Sequence, residues 1–350
     1  MPLAPGEAIT AEELRLAARN HGMPLEALRH AVTPVGLHYL LIHYDIPVVD
    51  PRTWRLVIGD EEWSLEALKA LPRVTRAVTM ECAGNGRAAL APRPISQPWL
   101  LEAVGNAQWT GTPLRPLVEG IATGAAELLF TGLDRGVEGD VVQAYERALP
   151  VADALHDDVL LAYELNGEPL PPQHGFPLRL VVPGWYGMTS VKWLTRITAL
   201  ETPHEGYQNA TAYRMRAHED DPGAPVSRIE PRALMVPPGI PDFMTRHRFV
   251  EPGPTTLEGR AWSGWGPIER VEVSTDAGTT WADAALGETT GWRAWSYDWE
   301  ATTGQHELCC RAFDATGRGQ PDAPPWNLGG YANNAVHRIA VTVNGETGPT

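Results

Sequence analysis

Cysteine is scarce in this chain, which has only Cys82, Cys309 and Cys310 among its 350 residues. Cys309 and Cys310 are neighbours in an alternating run, where successive side chains point to opposite faces, so a disulfide between them is unfavourable. No cysteine or histidine residues have the spacing of a zinc site. The sequence therefore predicts neither a disulfide framework nor a zinc centre, and Cys82 stands as an isolated thiol.

Long apolar runs and an excess of positive charge are also lacking. No stretch approaches the roughly 20 residues that a membrane-spanning helix needs. The N-terminus shows no charged-then-apolar signal segment. A net charge of -15 argues against general binding to nucleic acid or to an anionic membrane. We therefore expect a cytoplasmic protein that binds neither, in which any anionic ligand is held by locally placed cations.

The most informative stretch that is present surrounds Cys82. Residues 76–81 alternate as a strand does, and residues 83–86 (Ala-Gly-Asn-Gly) form a flexible turn that ends at Arg87. A strand that carries a thiol into such a turn presents the sulfur to a cavity among unpaired backbone N–H groups. A thiolate there can serve as a nucleophile or as a ligand for a soft metal. The cysteine alone fits both roles, and it also fits an inert buried side chain.

The chain divides by pattern into an N-terminal helical extension (1–30), a mixed domain (31–222) and a strand-rich domain (223–345). Strands and helices are interspersed in the second segment without a regular βα repeat, which favours an α+β fold. From about residue 225 onward, short alternating strands are separated by Gly, Asp and Thr turns with almost no helix. This pattern is typical of an immunoglobulin-like β-sandwich.

Local signals predict several elements within these domains. Thr10 and Ser64 are placed as N-caps of short helices. Residues 128–134 form an apolar run that predicts a buried strand ending at Asp134, and Asn166-Gly167 predicts a tight turn between two strands.

Three segments together resemble the sulfite oxidase family of molybdopterin-dependent oxidoreductases, in the bacterial type that has no fused haem domain. They are the Cys-Ala-Gly-Asn turn from Cys82, the His-Gly-Phe-Pro run through Ser-Val-Lys-Trp at 174–193, and the Trp-Asn-Leu-Gly-Gly segment within 326–338. The resemblance implies a molybdopterin-binding catalytic domain followed by an immunoglobulin-like dimerisation domain. It also implies molybdenum and molybdopterin as cofactors.

The resemblance implies roles for individual residues. Cys82 matches the family's single protein ligand to molybdenum. The positions that match the cofactor-holding residues are His43, Asp134, His174, Arg179, Ser190 and Lys192. The positions that match the substrate pocket are Arg87, Trp99 and Tyr213, with Tyr207 as the alternative tyrosine.

Three positions depart from the family's pattern. Leu41 and Gly329 stand where the family carries arginines that bind substrate, and Gly86 replaces the arginine that directly follows the cysteine turn. Each charged hydrogen bond to an oxyanion contributes about 1.5–3 kcal/mol. Sulfite is therefore expected to bind weakly unless His38, Arg87 or Arg214 compensates.

Three functions are compatible with these features. The first is oxidation of sulfite to sulfate with electrons passed to an external acceptor, and the second is reduction of a small oxide such as nitrate or an S- or N-oxide. The third is a degenerate dimeric binding protein, which the joint presence of the matched cofactor residues disfavours.

The strand-rich domain is also expected to form a homodimer. The tryptophans assigned to it are Trp262, Trp265, Trp292, Trp295, Trp299 and Trp326. These rings present more apolar surface than one sandwich core needs, and a symmetry mate can bury the surplus. The alternative is that they fill the space between the two sheets.

Overall fold

A computed structural model describes residues 9–344 and divides the chain into two compact units. Unit 1 comprises the residues up to Gly22, Pro34–Ser227 and Trp326–Asn333. Unit 2 comprises Met23–Thr33, Arg228–Pro325 and the residues from Asn334 onward. The first eight residues of the predicted extension and residue 345 lie outside the described part.

The predicted boundaries differ from this division because backbone segments are hydrogen-bonded across the expected limits. Tyr186 N donates to Ser227 O at 3.0 Å, which places residues 223–227 with unit 1. Trp292 Nε1 donates to Ala31 O at 3.0 Å within unit 2, which includes Met23–Thr33. The largest difference is Trp326–Asn333, which belongs to unit 1 although it is flanked on both sides by residues of unit 2.

Unit 1 contains both helices and strands. Its α-helices are α1 (Ala11–Arg19), α2 (Leu65–Lys69), α3 (Arg115–Ala122) and α4 (Val151–Ala154). Its strands are β1 (Leu56–Ile58), β2 (Glu61–Trp63), β3 (Val74–Glu81), β4 (Val104–Pro113), β5 (Glu127–Glu138), β6 (Val141–Pro150), β7 (Leu160–Leu165), β8 (Glu168–Pro169), β9 (Arg179–Val181), β10 (Leu194–Leu200), β11 (Arg214–Met215) and β12 (Ala224–Pro225). Short 3-10 helices lie at Val35–Leu37, Arg87–Ala89, Pro172–His174 and Gly187–Thr189, and a π-helical turn lies at Gln208–Ala212.

The local predictions hold at the helix starts and at the tight turn. Thr10 and Glu13 form a reciprocal capping box at the start of α1, and the Ser64 hydroxyl accepts from Ala67 N at the start of α2. Asn166 and Gly167 both have positive φ, as a tight turn between β7 and β8 requires. The strand expected to end at Asp134 instead continues to Glu138, because β6 pairs with β5 beyond a register shift.

Two sheets form the framework of unit 1. One has the order β2-β1-β10-β5-β6, and the other has β3-β4-β7-β8 with β9 also paired to β7. In β3, the first half is partly exposed and residues 78–81 are fully buried. The strand therefore runs from the surface into the interior and delivers Cys82 there.

Unit 2 consists of two antiparallel-rich sheets that enclose one apolar core. One sheet has the order β13-β16-β20-β19, and the other has β14-β15-β22-β21-β17-β18. The strands are β13 (Arg232–Met235), β14 (Ile240–Pro241), β15 (Arg248–Val250), β16 (Gly253–Trp262), β17 (Ile268–Ser274), β18 (Ala282–Asp283), β19 (Ala285–Thr290), β20 (Trp292–Ala301), β21 (Gly304–Asp314) and β22 (His337–Val343), with a 3-10 helix at Leu25–Arg29. The predicted order of a mixed unit followed by a β-sandwich is confirmed.

The tryptophan argument for a surplus apolar surface is wrong. Trp262, Trp292, Trp295 and Trp299 are between 1% and 7% exposed within one chain, so their rings present no surplus apolar surface. Trp326 lies in unit 1. Among the described residues of unit 2, the exposed large apolar side chains are instead Ile240, Phe243 and Met244.

All three cysteines are buried and carry free thiols. Within residues 9–344, no helix has both the length and the apolar character needed to span a membrane.

Candidate active site

A cavity in unit 1 collects most of the residues singled out in the sequence. Its empty volume is about 600 Å³, part of which is open to solvent. Its lining includes the predicted residues His43, Cys82, Asp134, His174, Arg179, Ser190, Lys192 and Tyr213. Arg87 and Trp99 do not line it and are buried in the unit instead.

The turn that follows Cys82 is held by Asn85. Its amide Oδ1 accepts from Ala103 N at 3.0 Å, and its Nδ2 donates to Glu81 Oε1 at 3.0 Å. Cys82 N also donates to Ala103 O at 2.9 Å. The thiol is therefore presented from a rigid backbone. The sequence identifies Asn85 only as a turn residue, because its partner Ala103 lies on a later segment.

The surroundings of Cys82 act on its thiol in opposite directions. Burial raises the pKa of Cys82, and the charge of Arg87 opposes this rise. A backbone hydrogen bond from Gly84 also favours the thiolate. A thiol that is buried and close to a guanidinium suits a group that ionises on binding a metal.

Arg87 folds back over the Cys82 turn. A Cβ built on Gly84 would lie 2.5 Å from Arg87 Nη2, so the guanidinium covers that glycine. Nε donates to Gly329 O at 2.8 Å and Nη1 donates to Gln97 O at 3.1 Å. Within residues 9–344, Nη2 has no hydrogen-bond acceptor, although Arg87 is only 5% exposed and does not line the cavity.

Trp99 belongs to the loop that supports Arg87. Ala88 N donates to Trp99 O at 2.9 Å, and the indole is 5% exposed. Its Nε1 is buried and has no conventional hydrogen-bond partner among the described residues, although it is close enough to favour the Cys82 thiolate. Trp99 therefore contributes to the surroundings of the thiol from behind the turn.

Two cations and a serine form one wall of the cavity. Arg179 donates from Nη1 to His174 O at 3.0 Å and from Nη2 to Ser190 O at 2.9 Å. Lys192 Nζ donates to Leu41 O at 2.7 Å. Ser190 Oγ accepts from Val182 N at 3.2 Å, which leaves its hydroxyl hydrogen able to donate.

Burial shifts the titration of Lys192 and Asp134 toward their neutral forms. It lowers the pKa of Lys192, with the charge of Arg179 acting in the same direction. It raises the pKa of Asp134, although the charge of Lys192 opposes that rise. Asp134 Oδ1 is buried without a hydrogen-bond partner in the described structure.

Three histidines lie on the cavity as neutral rings. Burial lowers the pKa of His38 to about 4, of His43 to about 3 and of His174 to about 2. His38 packs edge-to-face on His174 with ring centroids 5.6 Å apart. Its Nδ1 lies 3.0 Å from Tyr39 O, and its Nε2 is buried without a partner among residues 9–344. His38 thus offers a neutral polar atom near the position of Leu41.

Of the two candidate tyrosines, only Tyr213 lines the cavity. Its hydroxyl lies 2.6 Å from His43 Nε2, and its ring lies 5.3 Å from that of Tyr331. The Arg147 guanidinium lies over the Tyr213 ring at 5.6 Å. Tyr207, in contrast, is partly exposed and lies beside Glu138.

The three departures fall at distinct places in unit 1, and Gly329 is the one whose carbonyl oxygen accepts from Arg87 Nε. Leu41 lines the cavity, as expected for a position that would face the substrate. Gly86 has φ +87°, which favours glycine over an arginine there.

The compensating role considered for Arg214 is not supported, because its guanidinium donates to the carbonyls of Pro222 and Gly223, away from the cavity lining.

The cavity residues fit molybdopterin by their chemistry. Arg179 and Lys192 supply positive charge for a phosphate, while the unpartnered Asp134 Oδ1 and His38 Nε2 need polar ligand atoms. Within residues 9–344, no three His, Cys, Asp or Glu side chains are grouped to hold a metal ion. Cys82 can therefore supply one soft sulfur ligand, and the remaining ligands have to come from the cofactor.

The chain matches two family models, which follow each other in the same order as the mixed unit and the β-sandwich. Residues 43–208 match the model described as the oxidoreductase molybdopterin binding domain. Residues 241–344 match the model described as the Mo-co oxidoreductase dimerisation domain.

Similar sequences include sulfite oxidases and nitrate reductases. The sulfite oxidase of Gallus gallus is 35% identical over 338 residues, which cover 88% of this chain and 72% of that protein. The mitochondrial sulfite oxidase of Homo sapiens is 35% identical, and the match covers 89% of this chain and 62% of the human protein. An NAD(P)H nitrate reductase of Hordeum vulgare is 31% identical, with 89% of this chain and 39% of that protein covered. The chain thus spans about 62% of the length of the mammalian relatives.

Among solved structures, the sulfane dehydrogenase SoxCD from Paracoccus pantotrophus has a similar fold. The TM-score is 0.78 at 26% sequence identity, and the match covers 92% of this chain and 86% of that chain.

Proposed function

We propose, from the premise that this chain belongs to the sulfite oxidase family of molybdopterin-dependent oxidoreductases, that it oxidises a small sulfur oxyanion, with sulfite as the first candidate. The observation that carries the proposal is the position of Arg87, whose guanidinium covers the turn after Cys82 and leaves Nη2 without a hydrogen-bond acceptor among residues 9–344. The second expected enzymatic function, reduction of a small oxide, uses the same cofactor residues and is separated from the first by substrate.

The protein's part in this reaction is to bind and to orient. Arg179, Lys192 and Ser190 would hold the anionic and polar groups of molybdopterin, and the unpartnered Asp134 Oδ1 would accept a hydrogen bond from it. Cys82 would be the protein ligand to the molybdenum of the bound cofactor, which would supply oxygen-atom transfer and two-electron redox chemistry. Arg87 attracts the sulfite anion to the turn beside that ligand.

The hydroxyl of Tyr213 and the ring of His43 handle protons at the cavity. Oxidation of sulfite consumes one water and produces sulfate, two protons and two electrons. The 2.6 Å contact between Tyr213 Oη and His43 Nε2 provides a hydrogen-bonded route for one proton. Burial lowers the pKa of His43 to about 3, so its neutral ring accepts a hydrogen bond from the Tyr213 hydroxyl and would hold a transferred proton only transiently.

The two electrons pass to an external acceptor, which is a further part of the proposal. The matched dimerisation domain supports a homodimer formed through unit 2. The cytoplasmic location stays a prediction from the sequence.

The experiment is a substrate comparison on molybdenum-loaded protein. Purified protein is supplied with sulfite and an artificial one-electron acceptor, and separately with a reduced viologen and nitrate or a sulfoxide. We expect sulfite oxidation that is lost in Cys82→Ser, while the circular dichroism spectrum is unchanged. Reduction of an oxide without sulfite oxidation would replace the proposal with the reductase function, and full activity in Cys82→Ser would remove Cys82 as a ligand.

A second candidate substrate is a sulfane sulfur compound. It is favoured by the structural similarity to a sulfane dehydrogenase. Adding thiosulfate to the substrate comparison tests it, with preference for thiosulfate over sulfite as the supporting outcome.

A further inference from the structure

The segment Trp326–Asn333 lies directly against the Cys82 turn within unit 1. Ala332 N donates to Ala83 O at 2.8 Å, and Asn333 Nδ2 donates to Gly86 O at 2.6 Å. Together with the bond from Arg87 Nε to Gly329 O, these contacts fix the segment on both sides of the turn. Residues of this segment therefore reach the surroundings of the thiol although they are remote in sequence.

Tyr331 occupies the centre of this segment and is rigidly held. Asn327 binds its backbone at both polar atoms, accepting from Tyr331 N and donating to Tyr331 O at 2.9 Å each. The ring centroid lies 5.3 Å from the Arg87 guanidinium carbon and 5.3 Å from the ring of Tyr213. Tyr331 thus connects the cation beside Cys82 to the tyrosine that lines the cavity.

The ring of Tyr331 also fills the space in which a side chain at position 329 would begin. A Cβ built on Gly329 would clash with Cε2 of Tyr331 and lie 2.5 Å from its Cδ2. The φ angle of Gly329 is outside the left-handed region, so its backbone conformation admits other residues. The obstacle at position 329 is therefore the ring and not the backbone.

We propose that Tyr331 and Gly329 form a coupled pair that determines which anions the site accepts, with Tyr331 as the positioning residue for Arg87. The ring excludes a second cation at position 329 and packs on the one that remains. An anion is then met by Arg87 and the neutral hydroxyl of Tyr213, which lowers the affinity for dianionic sulfite relative to a pocket with two cations. This inference rests on the proposed function and names the residues that set its substrate preference.

The steric part is tested by a double-mutant cycle in melting temperature, which needs no substrate. Gly329→Ala alone is expected to lower the melting temperature by several degrees, because even a methyl group meets the ring. Gly329→Ala made in the Tyr331→Ala variant is expected to lower the melting temperature little or not at all. Equal losses in both backgrounds would overturn the coupling.

Gly329→Arg, made in the unmodified protein and in Tyr331→Ala, tests whether the ring of Tyr331 keeps a second cation away from the anion. Sulfite and sulfate affinities are measured by isothermal titration calorimetry on molybdenum-loaded protein, alongside the kinetic constants for whichever sulfur substrate the unmodified protein oxidises. We expect Gly329→Arg/Tyr331→Ala to bind these anions at least tenfold more tightly than Tyr331→Ala. An equal gain from Gly329→Arg alone, or no gain in the double variant when it is folded and loaded, would overturn the proposal.

The positioning role is tested with Tyr331→Phe against Tyr331→Ala. Because the ring and not the hydroxyl supports Arg87, Tyr331→Phe should keep the KM of the unmodified protein, whereas Tyr331→Ala should raise KM severalfold with a smaller change in kcat. Leu328→Ala, an exposed neighbour on the same segment, serves as the matched control. Equal KM values for Tyr331→Ala and the control would contradict the positioning role.

Failure of the proposed function is distinguishable from failure of this inference. Absence of sulfite oxidation in the unmodified protein would contradict the proposed function. The melting temperatures and the calorimetric affinities of the variants would still test the coupling of Tyr331 with Gly329.

Discussion

At the scale of single residues, the site combines buried charge with very few cations that can meet a substrate. Arg179 and Lys192 are committed to carbonyl groups of the cavity wall, so they are suited to hold a cofactor. Arg87 uses Nε and Nη1 for carbonyl oxygens and leaves Nη2 without an acceptor among the described residues. Under the proposed function, the strength of anion binding should therefore depend mainly on Arg87.

A change at Leu41 tests this dependence. Leu41 lines the cavity, so Leu41→Arg should add a cation there besides Arg179 and Lys192, and lower the KM for sulfite by about tenfold for each 1.4 kcal/mol gained. Steady-state kinetics on molybdenum-loaded protein measure the effect, and Arg87→Ala should raise the same KM strongly. Unchanged kinetics in a folded, loaded Leu41→Arg variant would mean that position 41 does not face the substrate.

His337 in unit 2 should make the folded protein less stable as the pH falls. His337 is buried, its Nδ1 accepts from Met235 N at 3.0 Å, and burial lowers its pKa to about 3. The unfolded chain binds a proton at this residue below about pH 6.5. The folded protein stays neutral there until about pH 3, so stability is lost as the pH falls through this interval.

The loss attributable to His337 at pH 5.5 is about 1.4 kcal/mol, since one pH unit below the unfolded pKa corresponds to that free energy. Chemical denaturation of the protein and of His337→Gln, at pH 7.5 and at pH 5.5, measures it. The variant should be less stable at pH 7.5 but lose less on acidification. An identical pH dependence would show that His337 is not the responsible group.

At the scale of secondary-structure elements, the structure contains the helix starts and the tight turn that short-range sequence signals predict. Thr10, Ser64 and the Asn166-Gly167 turn act on backbone atoms within a few residues, so their sequence context was sufficient. The end of β5 was misplaced because its length depends on pairing with β6. The bond between Arg87 and Gly329 joins residues 242 positions apart, and the resemblance to a family suggested their importance without showing the contact.

The hydrogen bonds of Asn85 in the Cys82 turn should affect both stability and molybdenum content. Asn85→Ala removes the acceptor of Ala103 N and the donor to Glu81, both buried. Leaving a buried backbone N–H without a partner costs about 1–3 kcal/mol, so the variant should be less stable by that amount. It should also hold less molybdenum, because the thiol is no longer fixed in place.

Denaturation curves and metal analysis test this prediction. Asn166→Ala, which alters an exposed turn, is a control for stability without effect on metal content. Full molybdenum occupancy in an Asn85→Ala variant of reduced stability would separate the turn's structural role from any role in holding the metal.

At the scale of the whole molecule, the proposed homodimer needs a surface of unit 2 that can join two copies. The four buried tryptophans cannot supply it. Phe243 is 83% exposed and Met244 is 81% exposed, and Ile240 at 59% lies on the same β14–β15 hairpin. Neighbouring exposed apolar side chains of this size are typical of an interface. We therefore predict that this hairpin contributes to the homodimer contact.

Replacing both side chains by aspartate should abolish the dimer. Phe243→Asp/Met244→Asp places two further negative charges per chain at a symmetric interface, on a protein that already carries a net charge of -15. Light scattering at micromolar concentration should show a dimer for the unmodified protein and a monomer for the variant. Val48→Asp, at a fully exposed apolar residue of unit 1, should remain dimeric.

Salt distinguishes the contribution of charge from that of lost apolar area. Electrostatic repulsion is screened beyond about 8 Å at physiological ionic strength and beyond about 3 Å at 1 M salt. Phe243→Ser/Met244→Ser removes the apolar area without adding charge, so its dissociation should change little with salt, whereas the aspartate variant should partly reassociate. A serine variant that is as dimeric as the unmodified protein would place the interface elsewhere on unit 2, and a monomeric unmodified protein would contradict the dimer itself.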